Sequence, residues 1–293
     1  MYDYKLLEAF AAVVDFKGFE KAAANLFITQ SAVSQRVRQL EESLGQILLV
    51  RSNPPKPTEA GKKIIAHWGK VKLLESGLAE ELSETGGSDY TTLSIGLNAD
   101  TLATWFFDAV ENAIRKHRIL LDLHVDDQDE THRLMRDGEV AGCITTREKP
   151  FQSCTCTYIG SMTYRMYSAS DIYDKFFPNG LSADALKDVP VIIYNEKDTL
   201  HLQMFEKAFG KTLINCPKMY IPSVEQYFDA VRRGFGIGMM PDNQCKDLLE
   251  NGVLKDVFAP HVVKAPLYWH RWSISSSPMD ALTKALMNKP KLL

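Results

Sequence analysis

The sequence predicts an α/β protein with a helical head, in which short helices and a stiff turn lead into one long helix and then into parallel sheets arranged as two similar lobes. Three features carry that prediction. The first 58 residues hold three short helical patterns and a proline-rich turn, residues from about 58 to 84 hold one uninterrupted apolar stripe, and from about residue 90 short β-type runs alternate with helical ones.

At 293 residues and 45% apolar content the chain can bury two or three cores without metals or disulfide staples. The net charge of -3 is no global sign of nucleic-acid binding. Residues 1–66 nevertheless carry nine Lys/Arg against seven Asp/Glu, while the remainder carries 25 against 30. MYDYKLLEAF has no basic segment followed by an apolar run, and no stretch of 18 apolar residues occurs, so a cytoplasmic protein with no membrane partner is expected. Five cysteines without repeated C-x-x-C spacing predict reduced, structural thiols, and no metal or cofactor is expected.

Leu7, Phe10 and Val14 stand at helical spacing until Gly18 ends the pattern. In EKAAANLF, Ala22 to Ala24 leave little bulk, so a neighbouring helix can approach closely, as a helix-turn-helix requires. Thr29 can cap a third helix whose Val33, Val37, Leu40 and Leu44 share one face, with Gly45 closing it. Ser31, Gln35, Arg38 and Glu42 fall on the opposite side, Gln30 begins the polar row, and Ser34 and Arg36 flank it. QILLVRSNPPKPTEAGKKI then supplies a short apolar run and a turn stiffened by Pro54, Pro55 and Pro57, which carries Arg51 and Lys56 as a basic wing would.

Alone, such a polar helix face is a solvated surface. Small-residue helix, capped helix and stiff basic wing in succession instead suggest a face for double-stranded DNA. Ser and Gln can approach base edges, Gln suits a bidentate contact with adenine, and Arg and Lys hold phosphates. By this chemistry the expected base readers are Ser31, Ser34 and Gln35, with Arg36 and Arg38 on phosphate and Glu42 merely solvated. In the long helix, Ile64, Trp68, Val71, Leu74, Leu78 and Leu82 recur in steps of three and four. That stripe predicts pairing with a second copy of the chain, the alternative being a helix packed on its own chain.

TGGSD at 85–89 reads as a flexible linker. Beyond it LSIGL, LLDLHV and AGCIT form one set of strands, and VIIY, KMYIP and GIGMMP a second. APLYWHRW and MDALTKALM return to complete the first lobe. The expected units are 1–58, 59–89 and 90–293, with lobe I about 90–163 plus 268–293 and lobe II about 164–267. Ligands of open α/β sheets gather at strand carboxyl ends. Those ends carry Asn98, Asp100 and Thr101, then Asp126 and Asp127, then Thr145 and Thr146. Their acidity suits a cationic ligand, although DDQDE at 126–130 also reads as a solvated helix start.

No enzyme signature emerges. GIGMM lacks a dinucleotide fingerprint, no serine occupies a G-x-S-x-G elbow, and His124 and His132 fall on different elements. Cys154 and Cys156 share one face of a β-type run, the pattern of a half-buried strand.

KAAANLFITQSAVSQRVRQLEESLG, followed by LLVR and PTEAG, resembles the winged helix-turn-helix of LysR-type transcriptional regulators. PPKPTEAGKK, NADTLATWF, YFDAVRRG and LYWHRW resemble a branch of that family responsive to arginine and lysine. The resemblance implies DNA contact by Ser31, Ser34, Gln35 and Arg36 and a wing of Arg51, Lys56 and Pro57. It also implies a dimerisation helix over about 58–84 and, from about 91, a two-lobed, periplasmic-binding-protein-like domain. A basic amino acid would then be held through its cationic groups by Asp100 and at least one of Asp126 and Asp127, with Thr101 and Thr145 on its carboxylate or backbone atoms. This chain departs from the branch at Asn195, where an acidic residue is common. A homodimer or homotetramer on an inverted repeat is implied, with RNA polymerase as a further partner. The competing readings are a sequence-tolerant architectural DNA binder and a ligand-binding or enzymatic domain fused to a DNA anchor.

Overall fold

The computed structural model describes residues 2–50, 52–82, 90–125, 128–210 and 215–288. Three helices open it: α1 (Tyr4–Asp15), α2 (Phe19–Asn25) and α3 (Gln30–Leu44). Their ends have local causes. The Asp3 carboxylate accepts from the Lys5 amide, the Thr29 hydroxyl oxygen accepts from the Ala32 amide, and Gly45 closes α3 in the left-handed region at φ 64. Phe10, Val33, Val37 and Leu40 meet in a core over which the buried Ala22 and Ala23 let α2 sit close. Strands β1 (Leu49–Val50) and β2 (Lys56–Pro57) pair antiparallel as a wing. Glu41 ties that wing to α3, its carboxylate accepting from the Leu48 amide at 2.7 Å.

Helix α4 (Glu59–Leu82) divides its stripe among three environments. Ile64 and Trp68 pack against the helical head, and Val71 is half-buried. Leu74, Leu78 and Leu82 are 54%, 55% and 74% exposed. The opposite side is covered by the rest of the chain. Leu73 enters the main core, Gly69 faces the Trp272 ring, and Lys62 pairs with Asp137 at 3.0 Å.

The remainder is an α/β domain. Its strands are β3 (Thr91–Leu97), β4 (Ile119–Val125), β5 (Gly142–Thr145), β6 (Cys154–Ala169), β7 (Val191–Ile193), β8 (Lys218–Tyr220), β9 (Ile237–Pro241), β10 (Leu254–Asp256) and β11 (Val263–Trp272). Between and after them run α5 (Ala99–Thr104), α6 (Phe106–Lys116), α7 (Gln128–Asp137), α8 (Ser170–Phe176), α9 (Leu200–Phe209), α10 (Val224–Arg232), α11 (Asp242–Glu250) and α12 (Ser277–Met287).

The sheet order is β4-β3-β5-β11-β6-β9-β7-β8, with β10 on β6. Parallel pairs β3/β4 and β3/β5 form one lobe's sheet and β7/β8 and β7/β9 the other's, as the alternating pattern predicts. The two are joined rather than separate: β6 and β11 run antiparallel to each other across the middle. The start of β6 at Cys154 and Cys156 reads as a β-type run, but its 16-residue length does not, because CTCTYIGSMTYRMYSA mixes Ser, Thr and Gly with its apolar residues and presents no continuous run. Trp269 on β11 is fully buried at the seam, and the absence of a Cβ at Gly142 makes room for its ring.

Candidate functional site

On α3 the polar row stands in water: Gln30, Ser31, Ser34, Gln35 and Arg38 are exposed, and Arg36 is half-buried. Val33, Val37 and Leu40 fix it from behind. Ser31 and Thr29 share a hydrogen bond of 3.0 Å between their hydroxyls. One role differs from expectation. Glu42 is not merely solvated, because its carboxylate accepts from Arg38 Nε at 2.9 Å across one helical turn. Lys56 is exposed and Pro57 half-buried in the wing, whereas Arg51 lies outside the described residues.

A cleft of about 540 Å³ opens between the lobes. Asn98, Asp100 and Val125 form one wall, and Tyr194, Asn195, Asp198, Gln203 and Tyr227 belong to the other. Each wall is shaped by backbone capping. The Asn98 side-chain oxygen accepts from the Thr101 amide at 2.9 Å and starts α5, which directs Asp100 into the cleft. Opposite, Asn195 accepts from the amides of Lys197 and Asp198 at 2.9 and 3.1 Å and shapes the loop. The departure at this position therefore builds a turn. The Asp198 carboxylate accepts from the Tyr194 and Leu200 amides at 3.3 and 3.0 Å.

Asp100 is the strained charge. The Tyr164 hydroxyl donates to its Oδ2 at 2.8 Å. Burial pushes the Asp100 carboxyl above its ordinary value, the Tyr164 hydrogen bond opposes that rise, and the negative charge of Asp198 adds to it. Two carboxylates on facing walls, one of them short of water, make a place where a cation relieves repulsion.

Of the strand-end residues read from the sequence, Asn98 and Asp100 line the cleft. Thr101 is fully buried, its hydroxyl donating to Met162 Sδ at 3.8 Å, and Thr145 is buried in β5 opposite Tyr268. Neither lines the cleft. Asp126 and Asp127 lie outside the described residues, although Val125 before them is on the wall. Sequence reasoning missed Tyr194, Asp198, Gln203 and Tyr227. The same strand-end rule applied to VIIY would have found Tyr194 and Asp198.

Among the described residues no group of three His, Cys, Asp or Glu could hold a metal ion. No described helix is long and apolar enough to cross a membrane. All five cysteines are free, with Cys143 and Cys245 buried and their thiols pushed upward by burial.

The helical head, the cleft between two α/β lobes and the long helix joining them are the parts of a ligand-responsive DNA-binding regulator. Residues 4–62 match the bacterial regulatory helix-turn-helix proteins of the lysR family, and residues 87–288 match the LysR substrate binding domain. The chain belongs to the LysR family of transcriptional regulators and is not an enzyme. It is 38% identical over 293 residues to the HTH-type transcriptional regulator ArgP of Pseudomonas fluorescens (strain Pf0-1), covering 98% of this chain and 96% of that protein. Among solved structures it is similar to ArgP from Mycobacterium tuberculosis, with TM-score 0.86, 32% identity and 99% of each chain covered. It is also similar to full-length LysG from Corynebacterium glutamicum with bound effector Arg, with TM-score 0.76, 29% identity and 99% and 100% of the two chains covered.

Proposed function

We propose that this regulator senses a basic amino acid, lysine or arginine, in the cleft and thereby controls genes of amino-acid transport or metabolism. The observation that carries the reading is the half-buried Asp100 facing Asp198 across the gap, a pair that a side-chain ammonium or guanidinium would neutralise. The arginine bound by the similar LysG supports the same ligand class. Ligand would favour one arrangement of lobes and so reset the spacing of paired α3 helices on an inverted repeat. The exposed Leu74, Leu78 and Leu82 support pairing of α4 with a second copy.

Calorimetry with arginine and with citrulline, its uncharged analogue, tests the reading. Arginine should bind and citrulline should bind at least about tenfold more weakly, a difference of one charge-assisted contact. Equal affinity for the two would remove the cationic ligand. An Asp100→Asn chain should lose most of the preference.

A further inference from the structure

Phe27 sits in the turn between α2 and α3, and two features of it are unfavourable to the free chain. Its side chain is 94% exposed, and its backbone is left-handed at φ 54. Helices commonly end in that conformation with glycine or asparagine, because a Cβ crowds the following carbonyl. Here the turn closes with the Phe27 amide donating to Ala24 O at 3.4 Å and the Ile28 amide to Ala23 O at 3.1 Å. Glycine holds the corresponding left-handed position after α3 and after α9, at Gly45 and Gly210. Among the described residues the other non-glycine positions of positive φ are Lys17, Arg118 and Ser153, all polar. Phe27 alone in that set is apolar, and water gives it no compensation.

We infer that Phe27 is a DNA contact whose phenyl ring packs on the apolar edge of the major groove, against sugar carbons or a thymine methyl. The inference rests on α3 being the reading helix. Phe27 precedes its capping residue Thr29 by two positions. A recognition helix meets base edges with its N-terminal residues, while the helix before it crosses the phosphate backbone. The turn joining them therefore lies at the groove edge, where an apolar side chain can reach a thymine methyl.

The test uses the full chain and a duplex selected by the wild type from a random-sequence pool. Phe27→Asn should bind that duplex roughly tenfold more weakly, as for loss of one buried phenyl, and Phe27→Leu should keep most of the affinity. Because asparagine tolerates the left-handed backbone, Phe27→Asn should melt at a higher temperature than the wild type. An apolar contact releases no counterions, so the salt dependence should keep its slope. Unchanged affinity in Phe27→Asn overturns the inference, as does loss of affinity accompanied by a lower melting temperature. A change of assembly mass with DNA affinity intact also overturns it, pointing to a second copy of the chain on this residue. Gln35→Ala on the same duplex separates the two ideas: if it and Phe27→Asn both leave affinity unchanged, the reading of α3 fails, and if only Phe27→Asn does, the inference fails alone.

Discussion

The outward face of α3 and the floor of the cleft are both polar, yet they are made in opposite ways. The α3 row comes from one short run of sequence, stands in water and is stabilised from behind by Val33, Val37 and Leu40. The cleft brings Asp100 and Asp198 together from distant parts of the chain, with the buried Tyr164 behind Asp100, and holds the Asp100 carboxyl partly out of water. Charges in water cost little and stabilise little, whereas a desolvated carboxylate costs stability until a cation arrives. One surface is ready for any partner that fits. The other carries a stored electrostatic cost that a ligand can relieve.

The strongest way to break this comparison is to remove the core behind one surface only. Phe10→Ala should cost about 3–5 kcal/mol in the helical head, where Phe10 is fully buried. Because the α/β lobes have their own core, arginine binding by calorimetry should survive while DNA binding is lost. Parallel loss of both would show that the head and the lobes unfold as one.

Asp100→Asn tests the stored cost. The raised carboxyl means that the folded chain holds this proton more tightly than the unfolded one, so stability falls as pH rises from the ordinary carboxylate value through the raised one. At neutral pH the variant should therefore melt at a higher temperature without ligand, while cation binding weakens by about 1.5–3 kcal/mol. A lower melting temperature would mean that Asp100 is structural. In the wild type, arginine affinity should begin to fall on acidification at a higher pH than an ordinary aspartate would give.

Between the two regions lies a joint. Helix α7 starts beyond the cleft residue Val125 and ends on α4, where Gly138, at φ 77, abuts Ala66 and Lys62 meets the 5%-exposed Asp137 side chain. Burial alone would raise the Asp137 carboxyl, but hydrogen bonds from Lys62 and Arg136 outweigh it and hold it below the ordinary value. This contribution is present at neutral pH and is lost as pH falls through the depressed value. Lys62→Met should cost about 1 kcal/mol at neutral pH and shift acid unfolding to higher pH, read by circular dichroism. An unchanged acid midpoint would show that the ion pair contributes nothing.

The smallest effect belongs to the solvated surface. Glu42→Gln releases Arg38 from its ion pair, so DNA affinity should rise about two- to threefold, the worth of one exposed pair. No change would indicate that Arg38 does not reach phosphate.

The helical head was legible because its determinants are local: Thr29 as cap, Gly45 as stop, alanines on α2 and an apolar face of steps four, three and four. Part of one wall of the candidate cleft was legible too, since Asn98 and Asp100 stand at the end of a strand that reads plainly. Thr101 stood at the same strand end and turned into the core, because helix phase after a cap, not position in sequence, sets direction. Phe27 reads in sequence as one more apolar residue. Only its exposure and left-handed backbone distinguish it.

By itself the sequence determined the order of the parts: periodicity and capping are short-range, so helices, strands and the polar row of α3 follow from neighbours a few residues apart. Tertiary structure alone decided that β6 and β11 weld two parallel sets into one mixed sheet, that α4 is shared between the head and the lobes, and that Asp100 faces Asp198. Those outcomes depend on contacts between residues a hundred or so positions apart, and on how much water each contact leaves around a charge.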